Sequence, residues 1–102
     1  MDCIGTINYE SDMDDARWAS LISSRKELAA TDSIETINPF TKQPSTISAP
    51  GELATATVGG NKVGALRWSK RGSGIDVFGD REKMKPLIDN LASELEGSFD
   101  PI

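Results

Sequence analysis

Four groups of turn-forming residues break the middle of this chain into short pieces: Asn38-Pro39, Pro50-Gly51, Gly59-Gly60-Asn61 and Lys70-Arg71-Gly72-Ser73-Gly74. Asn-Pro opens a turn because the proline ring fixes φ while the Asn side chain bonds the backbone two residues on. Gly59, Gly60 and Asn61 tolerate the positive φ of a tight hairpin. Pieces this short, joined this closely, favour antiparallel neighbours.

The pieces between the turns read as strands. Cys3 to Tyr9 is β-branched and partly alternating. Ile34 to Ile37 and Ser45 to Ser48 give two short strands around the Asn38 turn, with Pro44 and Pro50 expected to confine them to sheet edges. Leu53 to Val58 alternates Ala54, Ala56 and Val58 against Leu53, Thr55 and Thr57. With Val63 to Ser69 and Ile75 to Phe78 it forms a three-strand meander.

Two stretches carry helical spacing instead. Ser11 or Asp12 caps the first, Asp14 and Asp15 complement its dipole, and Trp18, Leu21, Ile22 and Leu28 form its apolar stripe. Asp80 caps the second, whose stripe is Met84, Leu87, Ile88, Leu91 and Leu95 before a stop at Gly97. Pro86 makes this helix begin late or bend. The tail from Ser98 to Ile102 is expected to be loose or pinned by Phe99.

The expected fold class is α+β, a twisted antiparallel sheet of about four to five strands with two helices packed on one face, in the order β-α-β-β-β-β-β-α. At 102 residues the chain makes a single globular domain spanning 1–102. Trp18, Leu21, Ile22, Leu28, Leu66, Trp68, Ile75, Val77, Leu87, Ile88, Leu91 and Leu95 are its expected core.

The chemistry is bounded by what the side chains lack. With no histidine, Ser-His-Asp and Cys-His nucleophile systems and His-bearing metal sites are excluded. Cys3 is the only cysteine, so no internal disulfide forms, which suits a cytoplasmic setting. Asp2 beside it disfavours the thiolate, so Cys3 reads as a partly buried strand residue. Asp12-Met13-Asp14-Asp15 lacks the glycine and glutamate of a calcium loop and reads as capping. The Gly59-Gly60 turn precedes a strand, not a helix, so it cradles no phosphate. Neither cofactor nor metal is expected, and no enzyme activity.

Charge is unevenly spread. Residues 1–40 hold eight acids and three bases (net -5), 41–74 one acid and five bases (net +4), and 75–102 seven acids and three bases (net -4). The overall -5 repels a phosphate backbone, so nucleic acid is a poor partner, and no apolar run spans a membrane. Two candidate binding sets follow: the acids Asp12, Asp14, Asp15, Glu94 and Glu96 on helix faces, and Arg67, Trp68, Lys70 and Arg71 on the basic meander. Basic residues on strands and turns also protect sheet edges from aggregation, which alone explains their placement.

The Trp-centred helix from Trp18 to Leu28, with its Glu27-Leu28 end, and the turn Asn38-Pro39-Phe40-Thr41-Lys42-Gln43-Pro44 resemble a family of small uncharacterised bacterial α+β proteins. Trp68, Ile75-Asp76-Val77 and the helix after Asp80 fit the order of that family, although Lys42-Gln43 stands where Gly-Glu is common. The resemblance implies no established activity; some members look like immunity-type proteins encoded near toxins. The reading is a small non-enzymatic interaction domain that binds another protein, as a monomer or a weak homodimer. The alternative is an anion or small-molecule module built on Arg67, Trp68, Lys70 and Arg71.

Overall fold

The computed structural model describes residues 1–38, 40–70 and 74–102. Pro39 of the first turn and Arg71-Gly72-Ser73 of the last lie outside the described residues. The elements are β1 (Cys3–Asn8), α1 (Asp15–Ser23), β2 (Leu28–Ile37), β3 (Pro44–Val58), β4 (Asn61–Trp68), β5 (Gly74–Gly79), α2 (Arg81–Glu94) and β6 (Ser98–Pro101). All six strands join one antiparallel sheet in the order β2-β3-β4-β5-β1-β6. The class is α+β as expected, with one strand more than expected and the order β-α-β-β-β-β-α-β. No helix among the described residues is long and apolar enough to cross a membrane.

Four boundaries differ from the sequence reading, each for a local reason. The cap of α1 is Asp14, whose carboxylate accepts the Arg17 N–H at 2.7 Å. The helix stops at Ser23, not Leu28; Leu28 opens β2, where its N–H bonds the Arg25 carbonyl at 3.2 Å. The two expected strands around Pro50 are one, β3; Leu53 to Val58 lies between β2 and β4, whereas Pro44 to Ser48 pairs with β2 alone, so the prolines stand where β3 has a single neighbour, the edge position expected of them. Pro50 is tolerated there because the ladder jumps from Thr31↔Leu53 to Ser33↔Ser48, so its missing N–H falls in a bulge. The tail becomes β6, which pairs with β1 through Ile7↔Phe99 and Thr6↔Asp100.

The second helix begins at Arg81, directly after its Asp80 cap, and carries Pro86 inside. The proline therefore does not delay the helix. Pro86 is exposed, so the carbonyl that loses its partner faces water.

Both helices cover the same face of the sheet. Trp18, Leu21 and Ile22 from α1 and Met84, Leu87, Ile88 and Leu91 from α2 share one buried cluster with Ile7, Ala54, Ala56, Leu66, Trp68, Ile75 and Val77. Every expected core residue is buried. Gly64 and Gly79 sit opposite each other beneath α2; a Cβ on Gly64 would lie 2.6 Å from the Met84 sulfur. The missing side chain of Gly64 lets Met84 reach the sheet, and that of Gly79 lets its strand lie close to the Val63–Gly64 backbone.

The other face is covered by the sheet itself. Beyond the bulge the outer halves of β2 and β3 cross it, so that Ile34 and Ala49 pack with Leu53, Ala65 and Phe78. A backbone latch holds them: the Ile37 N–H donates to the Met1 carbonyl at 2.9 Å, and the Met1 ammonium donates to the Glu35 carbonyl at 3.3 Å. At the tip the Asn38 side chain accepts the Phe40 N–H at 2.9 Å, the turn chemistry its sequence predicts.

Candidate functional site

The residues of the two expected binding sets are not kept apart. Lys70 Nζ lies 3.0 Å from the Asp15 carboxylate, so the basic meander and the acidic start of α1 meet and partly neutralise each other. The same ammonium sits 5.6 Å from the centre of the Trp68 ring, within cation–π range. Trp68 itself is buried against Trp18, with ring centres 5.9 Å apart and planes tilted 34°. Its indole is part of the core and presents no face for a ligand to stack on.

Arg67 and Trp68, adjacent in sequence, point to opposite faces of β4 because strand side chains alternate. Arg67 stands between Leu53 and Asp76 on the neighbouring strands. Its Nε is buried without a hydrogen-bond partner, while Asp76 accepts the Thr6 hydroxyl at 3.0 Å. Arg71 lies outside the described residues. Asp14 is occupied as a cap and Asp12 is exposed, its carbonyl accepting from Arg17.

The acids of α2 divide similarly. Glu94 pairs with Arg25, whose guanidinium also donates to Asn90 Oδ1 at 2.8 Å and to the Leu21 carbonyl at 3.1 Å. Arg25 thereby ties the end of α1 to α2. Glu96 is exposed after the helix end, with φ of 54°.

Two groups have displaced proton affinities. Burial pushes the Cys3 thiol up, outweighing an opposing hydrogen bond with the Gly5 backbone, and the Asp76 carboxylate adds to the rise. That favours the unreactive thiol over the thiolate. Burial likewise raises the Tyr9 phenol against the opposing influence of Trp68 and Arg17. Among the described residues no group of three or more Cys, Asp or Glu side chains is arranged to hold a metal ion.

The feature that sequence reasoning missed lies along α1 and the start of β2. Trp18, Ile22, Leu28 and Leu53 floor a groove of about 570 Å³, and its rim is built from Ala19, Ala29, Ala30 and Gly51. Asp15 and Lys70 close one end. The signal was the run Ala29-Ala30-Thr31, the one part of the first edge strand with neither charge nor bulk. Comparisons of the chain with protein-family models, with curated proteins and with solved structures found no match.

Proposed function

We propose that this chain is a non-enzymatic module that binds another protein, with the uncovered stretch of β2 as its contact surface. The observation that carries the reading is the contrast in edge protection. The β6 edge is four residues long, carries Asp100 and ends at Pro101, three devices that discourage pairing. The β2 edge is ten residues long; its outer half is latched by Met1, but Ala29 and Ala30 are exposed and uncharged. An undefended edge beside an apolar groove is a surface suited to a protein partner. The immunity-type or regulatory role implied by the resemblance is consistent with a module that acts by occupying its partner. The anion-binding alternative is less favoured, since Lys70 is already paired and Trp68 is buried.

The test is a pull-down from native lysate with tagged protein, read by mass spectrometry at low and moderate salt. One stoichiometric protein partner is expected. A preparation that retains no protein at either salt concentration overturns the reading.

A further inference from the structure

Antiparallel pairing makes alternate residues of a strand turn their backbone groups toward and away from the neighbour. The Thr57 N–H donates to the Glu27 carbonyl at 2.8 Å, which sets the phase at the start of β2. Ala29 and Thr31, paired with Thr55 and Leu53, then bond to β3, while Leu28 and Ala30 turn outward. The Leu28 N–H is taken by the Arg25 carbonyl. The Ala30 N–H, the Ala30 carbonyl and the Leu28 carbonyl remain as an open donor and two open acceptors among the described residues.

The side chains beside these groups leave room for another strand. Leu28 and Ala30 share the helix-covered face, since their partners are Ala56 and Ala54. Across the groove stands Ala19 of α1, exposed and small. A strand laid along Ala30 would direct alternate side chains toward Trp18, Ala19 and Ile22, and the intervening ones away from α1. At the end of the groove near Gly51, Asp15 and Glu52 meet Lys70, its ammonium pairing with Asp15 and its backbone N–H donating to Glu52 at 3.4 Å, two acids to one base among the described residues.

From these observations we infer that the partner of this module contributes an extended segment that adds to β2 as a seventh strand. The segment has apolar residues at alternate positions and a basic residue at the end that meets Asp15 and Glu52. Backbone pairing supplies affinity that depends little on sequence, and the groove and acidic end supply selectivity. This inference rests on the protein-binding reading and specifies its chemistry.

The probe is a displayed library of random 12-residue peptides selected on the folded protein. Enriched peptides are expected to show apolar alternation with a terminal Lys or Arg, and to shift the amide resonances of Leu28 to Ser33. Ala30→Pro removes the outward N–H and should lower their affinity at least tenfold. Ala19→Arg, on an exposed helix position, should do the same by filling the groove without touching the strand. Asp15→Asn should lower it severalfold and flatten its salt dependence. Circular dichroism on each variant checks that the fold is kept.

Selected peptides that bind equally well to Ala30→Pro and Ala19→Arg overturn strand addition, as does a selection that enriches nothing. A concentration-dependent dimer of the free protein in sedimentation, abolished by Ala30→Pro, overturns it in favour of a second copy on the same edge. If a lysate partner is retained by both variants, the module reading stands and only strand addition falls.

Discussion

The two faces of the sheet are buried by different means. On one, two helices supply Trp18, Ile22, Met84, Ile88 and Leu91 to a continuous apolar layer. On the other, the sheet covers itself with the outer ends of β2 and β3, and the layer is five buried residues: Ile34, Ala49, Leu53, Ala65 and Phe78. The first layer is packed by long side chains and is bordered by Arg25, whose Nε is buried without a partner. The second is bordered by Arg67, whose Nε is likewise unpartnered, and by the Thr6–Asp76 bond. A helix brings one side chain to the core every three or four residues and satisfies its own backbone; a strand folded over a sheet brings one in two and must find backbone partners elsewhere. Here those partners are the two strands' own ladder, from Ser33↔Ser48 to Ile37↔Pro44, and two further bonds to Met1.

The largest effect is expected at the helix-covered face. Trp18→Ala should cost about 3–5 kcal/mol, since it opens a cavity beneath α1 and removes the packing partner of Trp68. Urea unfolding should show one transition at lower midpoint, with Trp68 emission shifted to the red before unfolding. A loss below about 1 kcal/mol would mean that the two indoles are not mutually buried.

Ile34→Ala on the hairpin-covered face should cost toward the lower end of roughly 2–5 kcal/mol, and its effect should be local. Hydrogen exchange at the Ile37 amide, which is bonded to Met1, should accelerate far more than at the Leu95 amide, which is bonded to Leu91. Equal acceleration of both amides would show that the two layers open as one unit.

The smallest effect is proton-linked and tests both faces together. Cys3 packs against the second layer, Tyr9 belongs to the first, and both hold their protons more tightly when folded. A folded-state pKa above the unfolded value means that the native state binds more protons, so stability is fully present below the unfolded pKa and is lost as pH rises through the folded one. The unfolded references are 9.0 for the thiol and 10.0 for the phenol. Stability should therefore be level below pH 9 with respect to these two groups, then decline. Cys3→Ala should flatten the first part of the decline, and Tyr9→Phe the second. An unchanged slope in both variants would remove these groups from the account.

Much of the helix-covered layer was legible in the sequence, because periodicity reports which side chains share a face. Leu87, Ile88 and Leu91 repeat at helical spacing, and Trp68, Ile75 and Val77 alternate on strands. The hairpin-covered layer was not legible, because it depends on a bend. Pro50-Gly51 carries the same turn signal whether the chain reverses or merely bulges, and only the partner strand decides. Leu28 was misassigned because it falls seven residues after Leu21, a helical spacing that it satisfies by coincidence from the start of a strand. The candidate groove escaped notice for a similar reason. Trp18, Ile22 and Leu28 of its floor were expected as core and Leu53 was not, its rim is alanine and glycine, and an unpaired edge is a property of the sheet order.

That order has a consequence for how the molecule is made. Of the six described strands β1 leaves the ribosome first, yet it is seated between β5 and β6. While β2, β3 and β4 emerge and pair as successive neighbours, β1 has no lateral strand partner until residues 74 to 79 have left the ribosome, and no second one until 98 to 101 follow. A nascent chain therefore carries Ile4 and Ile7, both destined for burial, without a lateral strand neighbour until β5 has emerged. Closure must come late and over long sequence separation, the kind of step that slows folding and invites capture by chaperones.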